Sequence, residues 1–241
     1  MKLFNSIVIT TLLAGLLAGL VTAGSQYLTT TPLIIQAETY EGGGHDHSSH
    51  ATEEDTESHE GHDHDHSETA WSPGEGFERF FYTSVTTIAT AFGFAVVMLV
   101  AMIFTKENIT TRRGLAWGAA GFVATGLAPA LGLSPELPGS AAAAIEARQI
   151  WWTGTVVATS IGLWLSIKIS SPLALIGGIL LILLPHIIGA PQPQQLTSLV
   201  PGELTAHFVS ASLVTHAVMW SLVGTLTGYF WTRFGISKDV V

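Results

Sequence analysis

His45-Asp46-His47, His50, His59 and His62-x-His64-x-His66 put seven of the ten histidines into residues 45–67, interleaved with aspartate and glutamate and without a lysine or arginine. Neutral imidazole is the commonest metal-ligating side chain, and the carboxylates add oxygens and negative potential. The chain has no cysteine. Thiolate sites, disulfides and cysteine nucleophiles are therefore excluded, and the available nitrogen and oxygen ligands suit divalent ions such as Co²⁺, Ni²⁺ and Zn²⁺. The run lacks aromatic and large aliphatic residues, so it is expected to be a disordered collector of metal. The alternative is a solvated acidic spacer. A floppy His/Asp chain follows the general order in which Cu²⁺ and Ni²⁺ outbind Co²⁺, so it gathers metal without selecting it.

A second candidate set lies further along. Glu203 and His207 are four residues apart and share a helix face if the helix begins by Glu203. His186, in "LLPHIIGAPQPQ", would add a second imidazole from another segment. Two nitrogens and a carboxylate make a divalent-cation site; three unrelated polar contacts are the alternative. His216 follows His207 by nine residues, about two and a half turns, so it points the other way and ranks below the other two. Glu136 sits in "APALGLSPELPG", Ala128–Gly139, where three prolines and two glycines break the helix. Non-helical backbone at membrane depth lines a wet or protein-buried cavity. An ordinary loop with a solvated glutamate is the alternative. Arg148, Trp151 and Trp152 fit an interfacial anchor, with a role in the pathway as the second reading.

These residues need a scaffold, and composition gives its class. The 241 residues are 48% hydrophobic and only 11% charged, against about 25% charged in soluble domains. Six stretches are long and apolar enough, or nearly so, to span a membrane: roughly Phe4–Leu28, Phe80–Phe104, Leu115–Leu133, Gln149–Ile169, Pro172–Ile188 and Thr205–Trp231. The fold class expected is all-α, a polytopic bundle of about six transmembrane helices. It divides into a first helix (1–37), a His/acid-rich extracytoplasmic loop (38–79) and a five-helix unit with short loops (80–241). The fifth stretch is short and open to an early end at Pro185. The first resembles a signal peptide, with Lys2 before an apolar run and Val21-Thr22-Ala23 as a cleavage-like site. Its length and its Gly15-x-x-x-Gly19 spacing favour retention as a packed membrane helix.

Charge sets the orientation. With a cytoplasmic N-terminus, Lys2, Lys106, Arg112, Arg113, Lys168, Arg233 and Lys238 lie inside and only Arg79 and Arg148 outside, a clear positive-inside bias. The His-rich loop, Glu136, His186, Glu203 and His207 then face the exterior, and both termini are cytoplasmic in a multi-pass cell membrane protein. The net charge of −9 without a basic stripe argues against nucleic acid. No G-x-x-x-x-G-K-[ST], G-x-S-x-G or H-E-x-x-H occurs, so P-loop ATP binding and those hydrolase routes lack support.

Motifs along nearly the whole chain resemble the CbtA family, the predicted cobalt transporter subunits of prokaryotes. They are "LLAGLLAGL", "PLIIQAETYE", the His/Asp insert, "WSPGEGFER", "LAPALGLSPELPG", "ARQIWW", "LLPHIIGAPQPQ" and "VPGELTAHFVSASL". The two proline motifs joined to "ARQIWW" are the most specific. The resemblance implies cobalt uptake tied to cobalamin synthesis, and a small single-span partner, CbtB, with its own histidine motif. It transfers no ligand set. The reading is therefore a Co²⁺ importer or importer subunit, not an enzyme and without a permanently bound cofactor, for which Ni²⁺ and Zn²⁺ fit the same ligands. Lipid surrounds it, and a homo-oligomer is compatible with it. The alternative is a non-transporting metal sensor or chaperone that hands Co²⁺ or Ni²⁺ to a separate permease. The candidate metal residues are His45, His47, His50, His59, His62, His64, His66, Glu136, His186, Glu203 and His207.

Overall fold

The computed structural model describes residues 1–41, 74, 76–106, 108–194 and 197–235. Every regular element among them is helical: α1 (Lys2–Leu28), α2 (Thr30–Glu41), α3 (Phe77–Phe104), α4 (Thr111–Phe122), a π turn (Val123–Leu127), α5 (Ala128–Ala130), α6 (Ile145–Lys168), α7 (Pro172–Ile188) and α8 (Gly202–Phe234). The histidine-rich run, residues 45–67, lies outside the described residues, so the expectation of a disordered loop is not addressed there.

Four helices, α1, α3, α6 and α8, are long and apolar enough to cross a membrane. The other two segments counted from the sequence take different forms. Pro172–Ile188 is a 17-residue apolar helix. It runs through Pro185 rather than ending there, and Gly189, at φ 91°, turns the chain out of it. The Leu115–Leu133 stretch is interrupted by the π turn. Pro129 has no N–H to offer the carbonyl four residues back, and the amide of Ala128 reaches Val123, five residues back, instead. The N-terminal segment also divides: α1 ends at Thr29 and α2 restarts immediately.

Small residues decide how the helices meet. Lipid gives no hydrophobic drive between helices, so close backbone packing must supply the attraction. A Cβ at Gly15 would lie 2.5 Å from Phe92 Cα, and one at Gly19 would lie 2.5 Å from Ile88 Cα. The Gly15-x-x-x-Gly19 face is thus the seam between antiparallel α1 and α3. Gly114 and Gly118 of α4 face Gly224 and Gly228 of α8, so that each backbone lies against the other's carbonyls. Gly162 and Gly178 join α6 to α7 in the same way. The main core gathers Ala14 and Ala18 of α1, Ala91, Ala95, Met98 and Met102 of α3, and Met219, Trp220 and Val223 of α8.

A second cluster closes the end of the bundle where α2 lies. Ala37 of α2, Leu137 of the loop after α5, Val200, and Leu204 and Phe208 of α8 are buried together. Arg79 of α3 grips Glu38 of α2 with two nitrogens on two oxygens, at 2.9 to 3.1 Å. Together these contacts fix α2 across the end of the bundle.

Candidate functional site

A cavity of about 800 Å³ opens between α1, the π turn, the loop after α5, α6 and α8. Its wall is largely apolar but is studded with polar side chains from α1, α2, α6 and α8. From α1 come Thr22 and Gln26; from the first residue of α2 Thr30; from α6 Arg148, Gln149, Trp152 and Thr153; from α8 Ser212, Thr215, His216 and Met219. Spacings of three, four, seven and eight residues align such rows on one side of a helix.

His216 stands in this wall, opposite in direction to the exposed His207, as nine-residue spacing on one helix requires. Its Nε2 lies 2.9 Å from Trp220 Nε1. Indole nitrogen only donates, so Nε2 is the acceptor, and a neutral ring carries its proton on Nδ1. Thr125 Oγ1, 3.3 Å from the same nitrogen, donates its own hydrogen to Gly121 O at 2.9 Å. The ring is held from above as well. A Cβ at Gly126 would sit 3.0 Å from His216 Cδ2, so the π turn brings glycine where the imidazole needs room. Trp220 is anchored by stacking on Phe94, with centroids 4.6 Å apart.

Glu136 occupies the other end. Buried Leu137 docks into the α2–α8 cluster, and its neighbour Glu136 lines the cavity. Arg148 Nη2 meets Glu136 Oε2 at 2.6 Å. Arg148 is therefore held in the cavity wall by a carboxylate. Trp151 has a structural role: its Nε1 donates to Pro185 O at 3.2 Å, and its ring packs edge-on against His186.

The remaining candidates are distributed around this centre. α8 begins at Gly202, so Glu203 and His207 share a face one turn apart, and both are exposed. His186 is half-buried beside Trp151 in the last turn of α7, with Nε2 buried and unpartnered. Neither Glu203, His207 nor His186 lines the large cavity, whereas Glu136 does. Among the described residues, no three of histidine, cysteine, aspartate and glutamate come together as a metal-holding group. A cation in the cavity would meet one carboxylate already paired to Arg148, one imidazole, a thioether and several hydroxyls and amides.

No curated protein and no solved structure matches the chain. The family model described as "Probable cobalt transporter subunit (CbtA)" matches residues 4–232. That match spans the bundle and every cavity-lining residue, and the chain belongs to the CbtA family.

Proposed function

We propose that this subunit carries Co²⁺ inward through this cavity, across about six membrane-crossing segments, with the α2 end outside the cell. The observation that carries the reading is the cavity itself, a space between the helices of an apolar bundle whose wall brings a carboxylate, Glu136, and an imidazole, His216, together with hydroxyls and amides. The distribution of lysine and arginine supports the orientation. Among the described residues, Lys2, Lys106, Arg112, Arg113, Lys168 and Arg233 belong to the end opposite α2, and Arg79 and Arg148 to the α2 end.

In this reading the histidines of residues 45–67 raise metal near the mouth. Glu203 and His207, exposed on the first turns of α8, receive it there, and His186 lines the approach beside Trp151. Glu136 then admits it to the cavity. A divalent ion moving inward gains about 4.6 kcal/mol per 100 mV of inside-negative potential, at about 2.3 per charge, so the step needs no nucleotide. A small single-span subunit with its own histidines fits beside the bundle. The outer surface of the α6–α7 hairpin is largely exposed apolar side chains, suited to lipid or to such a helix.

The collector and the cavity are separable. In cells lacking other cobalt importers, replacing His45, His47, His50, His59, His62, His64 and His66 with alanine is expected to lower uptake severalfold at scarce cobalt and hardly at all at saturating cobalt. Uptake measured across that range decides it. An equal loss at every concentration would return the insert to the transport step itself.

A further inference from the structure

Glu136 borders a second, smaller cavity of about 260 Å³, walled by Pro191, Gln192, Pro193, Ser198 and Thr205. The two cavities share Leu133, Ser134, Pro135 and Glu136. This short proline-stiffened segment is their common wall, and its one charged group is the Glu136 carboxylate. Arg148 lines only the larger of the two.

The Arg148–Glu136 pair is built unlike the other strong pair at this end. Arg79 uses both terminal nitrogens on both oxygens of Glu38. Arg148 makes its ion pair through Nη2, while its Nε is buried without a partner. A buried donor left unsatisfied is costly, so the contact holds the two charges together without making the most of the guanidinium. Guanidinium also cannot shed its proton. The pair therefore opens at the carboxylate, when Glu136 is protonated, solvated or taken by another cation.

We infer that Arg148 is a tethered substitute cation, occupying Glu136 until a divalent metal ion displaces it and passes between the two cavities. The inference rests on the transport reading and adds to it the device at the entry. A divalent ion brings twice the charge of a potassium ion, so it competes for the carboxylate far better at equal concentration. Once bound, it repels the nearby guanidinium, which moves along the α6 face already lining the cavity. The exchange keeps the entry neutralised when no metal is present and discriminates by charge.

The test is site-resolved labelling of Arg148 with phenylglyoxal in the purified full chain, read by peptide mass spectrometry. Cobalt chloride is expected to raise the labelling rate of Arg148 at least about fivefold over potassium chloride of equal ionic strength, while Arg79 stays unchanged. Glu136→Gln should label fast with or without cobalt. Cobalt leaving Arg148 at the potassium level, or Glu136→Gln still responding to cobalt, would overturn the inference. Arg148→Gln supplies a second reading that does not need the carboxylate variant to fold: with its competitor gone, the KM for cobalt uptake should fall at least about threefold, and an unchanged or raised KM counts against the exchange. Flux without a labelling response removes the inference alone; a labelling response without flux removes the transport reading and leaves the exchange at Glu136 standing.

Discussion

Cobalt uptake is expected to fall at least about tenfold, at every metal concentration, when His216 is replaced by alanine. That corresponds to about 1.4 kcal/mol in the barrier, a modest demand on the one imidazole that lines the large cavity among the described residues. The native ring offers Nε2 to Trp220. A cation reaching the middle of α8 can claim that lone pair only by taking it from the indole, so the ligand is available and weakly committed at once. This suits a transit position, where an ion must bind and then leave. His216→Gln separates this role from packing. Its side-chain oxygen can still accept from Trp220, so the fold should persist as judged by gel filtration and melting. Its neutral oxygen is a poorer partner for cobalt, so uptake should remain low. Normal uptake in both variants would remove His216 from the route.

Gly224→Val is expected to cost about 3 kcal/mol or more, enough to lose most of the folded protein. Overpacking a core typically costs about 1–3 kcal/mol when side chains can move aside. Here the added Cβ meets the carbonyl of Gly114, and that of Gly114 would meet Gly224 in turn. Backbone on two long helices cannot yield locally. The helices would have to separate, and with them Trp220 and Val223 would leave the core that Ala14, Ala95 and Met102 complete. Gly93→Val is the control, because nothing lies within 4 Å of a Cβ placed there. Thermal melting of the purified variants should leave Gly93→Val near the wild type and Gly224→Val unfolded or far less stable. Equal melting would contradict the packing described for α4 and α8.

Much of the scaffold was legible because apolar length and glycine spacing act locally. Gly15 and Gly19 announced a seam, and the structure puts Phe92 and Ile88 against it. Glu203 and His207 share a face because α8 begins where that reading required. The cavity was harder to find. Its signal is distributed: Thr22 and Gln26 on α1, Thr30 on α2, Arg148, Gln149 and Thr153 on α6, Ser212, Thr215 and His216 on α8. Each row is unremarked by itself, since Thr and Ser in membrane helices usually bond back to their own backbone, as Thr22 does to Ala18 O at 2.7 Å. Only the folding of these rows to one side creates a site. His216 ranked low because its direction away from His207 was legible and what it faced was not. Arg148 read as an anchor because tryptophans follow it, and its partner Glu136 comes from a loop whose path depends on Leu137 docking against α2. The π turn was hidden as well: Pro129 signals a break, but not that the chain would accommodate it by widening one turn beside His216.

On the proposed function, this chain itself contains the route for the ion. The most direct measurement is radioactive cobalt flux into proteoliposomes that hold the purified chain alone, under an inside-negative potential. Time-dependent accumulation that grows with the potential and collapses in His216→Ala is expected. Accumulation no greater than in protein-free liposomes, from protein that is folded and binds cobalt, would contradict it and leave a metal carrier that hands its cargo to a separate permease.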